Sequence, residues 1–285
     1  MEQLPADLPY FILEAEELPQ YKGDKKTISG SYVDPQNAAR SFTFSGCQIN
    51  VQGTSSAPYY RKNYDMQFKG GFEMRSGHAD NYELASGVVP FNRFVLKADV
   101  ASSEGVNNVE LVRLYDELAR EIGALTPPQN SDARVQQGID GFPIVVFWNN
   151  GTDTVFVGKY NFNNDKGTEE LYGFTTGDES WETSSNTSML SKFKTDTFGE
   201  NWAEEDYESR YPDGSTVNTN LQAMTSWVYS TWQENATGDT LDTPYEDVDG
   251  NTHTVDNAAY RLAKFKTELP DWFDVNDTAF YYLFT

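Results

Sequence analysis

The sequence predicts an α+β protein, β-rich over residues 1–175 and loop-rich with helices over 176–285. Two patterns carry that expectation. Runs of alternating apolar and polar residues dominate before about residue 105, and apolar residues at helical spacing recur after it. Composition supplies the core: aromatics are 14% of the 285 residues, with 17 Tyr, 18 Phe and 6 Trp. Rings bury a large area each, so the interior is expected to be built mainly from them.

Taken in chain order, "SFTFSGCQINVQG" (41–53), "NYDMQFKGGFEM" (63–74) and "FNRFVLKADV" (91–100) alternate with the period of half-buried strands. Gly70-Gly71 and Ser76-Gly77 punctuate them as turns. "GVNNVELVRLYDELAREIGAL" then places Val109, Val112, Tyr115, Leu118, Ala119 and Ile122 on one helical face, with Asn107 or Asn108 as cap and Gly123 as stop. Two apolar strands follow, Ile144 to Trp148 and Thr154 to Tyr160, joined by an Asn-Asn-Gly turn.

In the second half, Leu221, Met224, Val228 and Trp232 share one helical face, as do Ala259, Leu262, Phe265 or Lys266, and Leu269. The latter helix has Asp256 as cap and Pro270 as stop. Asp249-Gly250 reads as a hairpin turn. A last helix, capped by Asp274 or Asn276, leaves its "FYYLF" face unfinished at Thr285, which predicts that the natural chain continues.

Charge excludes some function classes. Against 21 Lys and Arg stand 44 Asp and Glu, a formal charge of -23 that repels phosphate backbones and anionic headgroups, so nucleic acid is not expected as a partner. Cys47 is the single cysteine, which rules out an intrachain disulfide and a thiolate zinc cage, and it reads as a small core residue. His78 and His253 fall in loop-like stretches and read as surface residues. "EDVDGNTHTVDN" misses the calcium-loop pattern, with glycine too early and Ala258 at the twelfth position, so no metal site is expected. The N-terminus lacks the basic and long apolar regions of a signal peptide, and no run approaches the roughly 20 apolar residues of a membrane span. A soluble protein of a reducing cytoplasm, or one assembled there into something larger, is the expectation.

One stretch stands apart. "VQGTSSAPYYRKNYDMQFKGGF" (51–72) concentrates hydroxyls, tyrosines and cations in an acidic chain. Its turn Gly53, Thr54, Ser55 and Ser56, backed by Arg61 and Lys62, has the amides, hydroxyls and lysine that hold nucleotide phosphates. The competing reading is a strand with Tyr60, Tyr64, Met66 and Phe68 on one face and Arg61, Asn63, Asp65 and Gln67 toward water. Alternation alone favours the strand. Neither phosphate-binding glycine motif is present, and no nucleophile elbow lies near a histidine.

In order along the chain, "VQGTSSAPYYRKNYDMQFK", "FVLKADVASSEGVNNVELVRLYDELAREIG" and "GFPIVVFWNNGTDTVFVGKYNF" resemble successive motifs of the CotH family, the spore-coat-protein-H-like proteins with an atypical protein-kinase fold. The match spans about residues 8 to 175. The resemblance implies a kinase-like two-lobed architecture, a β-rich N-terminal lobe over 1–175 and a mainly helical, truncated C-terminal lobe over 176–285. It implies ATP with Mg²⁺ or Mn²⁺ as cofactor, with Ser55 and Ser56 near the nucleotide and Lys62 as the phosphate lysine. Lys97 and Asp99 match the Lys-Ala-Asp segment, and Asn164 or Asp165 stands where a glutamate would pair with the lysine. The family's catalytic carboxylates have no counterpart here, so no catalytic residue is assigned.

The wording "QGTSS…RKNY", without a signal peptide and in an acidic chain, looks like the CotH-like domains of phage structural and tail proteins. The expected role is therefore particle assembly or host attachment within a virion. The expected partners are other virion or tail proteins and further copies of the chain. The alternative is an ATP-dependent protein kinase whose carboxylates lie past residue 285.

Overall fold

The computed structural model describes residues 4–53, 56–100, 109–165, 167–175, 178–183, 207–211, 220, 223, 224, 227, 240–246, 250–255 and 258–273. The chain divides into two units, Met1–Gly173 and Phe174–Thr285.

In the first unit the strands are β1 Tyr10–Glu14, β2 Lys26–Val33, β3 Phe42–Gln52, β4 Asn63–Phe68, β5 Phe72–Met74, β6 Gly77–Ala79, β7 Arg93–Lys97, β8 Gly141–Asn149 and β9 Thr154–Asn164. Two helices, α1 Glu110–Ile122 and α2 Pro127–Ser131, lie between β7 and β8. Strand order runs β2-β1-β8-β9-β7-β4-β3, and β3 pairs back onto β2, so seven strands close into a barrel with the β5–β6 hairpin hanging from β3. Every pairing is antiparallel except β1 with β8, which runs from Tyr10 opposite Val145 to Glu14 opposite Asn149.

Period-2 alternation turns one row of each strand inward. Phe11 and Leu13 of β1, Tyr64, Met66 and Phe68 of β4, Phe94 and Leu96 of β7, and Tyr160 and Phe162 of β9 are all buried. Along β3 the inward parity changes, from Phe42 and Phe44 to Cys47, Ile49 and Val51. A bulge makes the change, because Gly30 opposes Phe44 while Ile28 opposes Cys47 and one extra residue is taken up on β3. Gly46, with φ +71°, supplies the left-handed backbone that this kind of bulge requires. Without the bulge, the second half of β3 would turn its apolar row to solvent.

Rings fill the interior. Phe11 and Phe162 meet edge-on at 5.0 Å, Phe94 lies 4.9 Å from Phe162, and Phe42 lies 4.9 Å from Phe72 and 4.8 Å from Tyr82. At the end of the barrel where β9 finishes, Asn164 is buried and satisfied, accepting from Asp140 N at 2.6 Å and donating to Tyr172 Oη at 3.2 Å. Leu171, fully buried, joins the core there from the short 3-10 turn Glu169–Tyr172.

The structure corrects the expected fold class. A closed barrel replaces the two-lobed kinase architecture, and only three α-helices occur among the described residues. Alternation reports which face of a strand is buried but not which strand sits beside it. An open lobe sheet and a barrel read alike in sequence until β1 is found parallel to β8.

α1 ends as expected at Gly123, whose φ of +77° lets its N–H close onto the carbonyls of Ala119 and Arg120. Its start differs, since Val109 occupies the N-cap without a side-chain cap bond, and Asn107 and Asn108 lie outside the described residues. Its buried face holds Val109 and Ala119, whereas Leu111, Leu114 and Ile122 are exposed. α2 was not anticipated. Thr126 and Gln129 form a capping box around Pro127 and Pro128, so capping rather than apolar periodicity defines it.

In the second unit β10 Ser180–Thr183 pairs antiparallel with β11 Tyr207–Tyr211, and β12 Thr240–Glu246 pairs with β13 Thr252–Val255 as the hairpin expected around Gly250. The helix α3 Ala258–Trp272 carries Pro270 inside it rather than stopping there. Proline in the last turn forfeits one hydrogen bond, and the helix still closes past it, with Phe273 N on Leu269 O at 3.0 Å. Trp227 stacks on Phe265 at 5.4 Å and Trp272 at 5.5 Å, and its indole donates to Glu268 at 2.8 Å. The helix expected around Leu221–Trp232 lies largely outside the described residues, and the one expected from Asp274 lies wholly outside them. Among the described residues no helix is long and apolar enough to cross a membrane.

Cys47 is fully buried in the barrel interior, and burial, with Asp65 adding, pushes its thiol well above the ordinary range. The native protein is therefore expected to leave a thiol-specific chromogenic reagent unconsumed, and to consume one equivalent once denatured in guanidinium. Rapid labelling of the native protein would contradict this placement.

Candidate functional site

The connections β1–β2, β3–β4 and β8–β9 leave the barrel at one end. Register places them together: Glu14 lies opposite Asn149 and Ser29, and Gln52 lies opposite Asn63. The stretch singled out from sequence forms the β3–β4 connection at this end.

Ser56 Oγ accepts from Asn63 Nδ2 at 3.1 Å, and Asn63 Oδ1 accepts from the Ala98 N–H at 2.7 Å. Arg61 donates through Nη2 to the Ala98 carbonyl at 2.8 Å. Lys62 Nζ turns back to the Ala57 carbonyl at 2.9 Å, and Tyr59 N closes a turn onto Ser56 O at 3.1 Å. The loop is thus tied to itself and to the end of β7, while Tyr59 and Tyr60 face outward, 41% and 85% exposed. Tyr60 does not join the inward row with Tyr64, Met66 and Phe68, because the strand begins only at Asn63.

Of the residues expected around a nucleotide, Ser55 lies outside the described residues. Ser56 and Lys62 belong to the loop. Lys97, at the end of β7, donates to Gln52 Oε1, and Gln52 Nε2 in turn donates to Asp165 Oδ2 at 3.0 Å. The acidic residue beyond the Gly-x-Tyr strand is therefore linked to Lys97 through a glutamine, and Lys62 has a different partner. Asp99, also expected here, accepts from Asn161 Nδ2 at 2.6 Å and has φ +44°, the one left-handed non-glycine residue among those described. Aspartate tolerates that conformation better than most residues do.

These contacts continue along the outer face of the sheet. Arg93 grips Asp65 through Nε at 3.1 Å and Nη2 at 3.3 Å. Burial opposes the arginine's charge, but the Asp65 bond, with Asp165 and Glu169 nearby, raises its pKa on balance. Inside the barrel beneath the loop, Tyr160 stacks with Tyr64 at 6.3 Å, and the Arg61 guanidinium lies over the Tyr160 ring at 5.7 Å. Burial pushes both phenols up, Tyr64 to about 12, so both stay protonated at neutral pH.

Asn63, Gln52 and Asn161 were missed from sequence as structural hubs. For the two asparagines a signal was present: asparagine is a poor strand former, and in "RKNYD" and "NFNN" it sits where β-branched residues would be ordinary. Asn63→Ala strands the Ala98 N–H, which is buried, and is expected to cost about 1–3 kcal/mol in urea unfolding. Asn63→Asp keeps that acceptor and loses less.

Comparison with known protein families and with curated proteins finds no match. The likeness to CotH rests on the quoted motifs alone.

At the other end of the barrel, His78 of β6 is exposed and lies between Glu73 Oε1 at 2.9 Å and Asp80 Oδ1 at 3.0 Å. Asp80 first and then Glu73 hold its pKa above the ordinary histidine value. A raised folded pKa means that this contact contributes in full below the unfolded pKa and is lost as pH rises through the folded one. An NMR titration is expected to place His78 above a model histidine, and Asp80→Asn to bring it down. Among the described residues no group of three or more His, Cys, Asp or Glu could hold a metal ion.

Proposed function

We propose that this chain is a structural module of a phage virion or tail, acting through surface contacts in particle assembly or host attachment. The observation that carries this reading is a barrel that displays groups rather than enclosing a substrate. Seven strands make a bore that side chains can fill, and here aromatic rings occupy it. The polar groups of the loop end are spent on fixing the loop, which presents Tyr59 and Tyr60 to solvent. Rigid, exposed tyrosines suit recognition because little side-chain entropy is lost on contact. The exposed Leu111, Leu114 and Ile122 of α1 add a second surface of the kind that protein partners cover. A charge of -23 keeps such a module off nucleic acid during packaging.

Density-gradient fractionation of particles from an infected culture, with mass spectrometry of the banded material, tests this. The chain is expected in the particle band at a fixed ratio to the major structural proteins. Recovery solely as a free monomer in the soluble fraction would sink the reading.

A further inference from the structure

α1 is apolar on two sides. One side, with Val109 and Ala119, is buried, and the other carries Leu111, Leu114 and Ile122, which are 52%, 44% and 61% exposed. At 3.6 residues per turn these three and half-buried Leu118 fall within about 80° of arc, so they form one stripe along the helix rather than scattered single residues. A surface helix turns its apolar stripe to the core and polar residues to water. A second stripe facing water marks a surface that another chain covers.

The charges beside the stripe narrow the partner. Glu110, Glu117 and Glu121 are all exposed and cluster within about 40° of arc, next to Leu114. The two arginines of the helix lie behind that row and are committed to the body of the unit. Arg113 bonds Asp140 at 2.7 Å and the Gly141 carbonyl, with Glu110 only at 3.7 Å. Arg120 bonds Asp116 at 2.7 Å and the carbonyls of Ala133 at 3.1 Å and Val135 at 2.6 Å. Among the described residues no ion pair takes up Glu117 or Glu121. The stripe is thus edged by uncompensated negative charge. In a two-fold pair the same patch faces itself, which would add glutamate to glutamate on chains that each carry -23, so a second copy is disfavoured. An anionic membrane is repelled for the same reason. The complement to both features is an amphipathic helix with apolar residues at i, i+3, i+4 and i+7 and Lys or Arg along one flank.

We propose that the outer face of α1 docks a basic amphipathic helix of another protein, its apolar row on Leu111, Leu114, Leu118 and Ile122 and its cations against Glu110, Glu117 and Glu121. The inference rests on the assembly half of the proposed role. The two fail separately, because particle association is read by fractionation of particles and docking is read on the purified chain.

Fluorescence anisotropy of a labelled Leu/Lys peptide titrated with the whole chain tests it, at physiological ionic strength so that unspecific attraction is screened. The peptide has about 18 residues, enough to hold a helix, with its leucines at i, i+3, i+4 and i+7. Comparators are a scrambled peptide of the same composition and a Leu/Glu peptide of the same pattern. The patterned Leu/Lys peptide is expected to bind at least about tenfold tighter than either. Leu111→Gln with Leu114→Gln is expected to weaken binding about tenfold with the melting temperature unchanged, since both positions are exposed and glutamine is a good helix former. Glu117→Lys with Glu121→Lys is expected to turn the preference toward the Leu/Glu peptide. Four results would overturn the proposal: no binding, equal binding of the scrambled peptide, binding indifferent to the paired leucine exchange, or a preference unmoved by the paired glutamate exchange. Sedimentation of the chain alone as a dimer that the leucine exchange dissociates would also overturn it, assigning the stripe to a second copy.

Discussion

Phe42→Ala is expected to lower the stability of the barrel unit by about 3–5 kcal/mol, the range for deleting a fully packed ring. Phe42 is 2% exposed and touches six aromatic neighbours, from Tyr82 at 4.8 Å and Phe72 at 4.9 Å to Tyr32 at 5.2 Å, Phe11 and Phe68 at 6.0 Å, and Phe44 at 6.2 Å. It bridges β1, β2, the bulged β3 and the β5–β6 hairpin, so the cavity left behind borders several elements and cannot collapse by moving one of them. A domain holds only about 5–15 kcal/mol in total, so the variant is expected to fold but to melt about 10 °C or more below the parent by calorimetry. Tyr60→Ala, by contrast, is expected to shift stability by no more than about 0.5 kcal/mol. A loss below about 2 kcal/mol at Phe42 would mean that its ring is not packed as described.

Gly30→Ala is expected to cost about 3 kcal/mol or more, although it adds one methyl group. A Cβ at Gly30 would lie 2.2 Å from the Ile12 carbonyl oxygen and 2.8 Å from Phe44 Cζ, at a backbone φ of +157°. The phenyl ring could yield, but the carbonyl belongs to β1, whose pairing with β2 is part of the barrel's closure. The two contacts make different predictions for a double variant. If the ring were the obstacle, Gly30→Ala with Phe44→Leu would recover stability in urea unfolding. Because the oxygen is the harder obstacle, no recovery is expected, and substantial rescue would show that the strand pair can give way.

How much of this was legible in the sequence depends on the range of the physics involved. The strands around Phe42–Gln52, Asn63–Phe68 and Arg93–Lys97, the β8–β9 hairpin with its Asn-Asn-Gly turn, and the stop of α1 at Gly123 were all readable, since each rests on neighbours within a few residues. The interior rings were readable as a class, but Tyr60 and Ile122 were assigned inward and stand exposed. A period gives a direction only once the element's start is known, and neither boundary nor packing partner is written locally. At the loop end, the sequence drew attention to Ser56, Lys62 and Lys97 as cations and hydroxyls. Of the groups that organise them, Asn63 read as a solvent-facing strand residue, and Gln52 and Asn161 carried no reading of their own. Their partners at Asp165, Ala98 and Asp99 come from other strands or their ends.

What the sequence by itself determined is therefore a strongly acidic chain with a single cysteine, an aromatic core, a β-rich first unit and a defined set of strands and turns. The tertiary structure alone decided that these strands close into a barrel rather than forming the lobe of a kinase. Closure depends on β1 lying parallel to β8, more than a hundred residues away, and on a glycine bulge that keeps both halves of β3 facing the same interior. Alternation specifies which side chains seek burial and is indifferent to which strand supplies the neighbouring edge. That choice is made by the fit of whole strands, their bulges and their ends around a shared core.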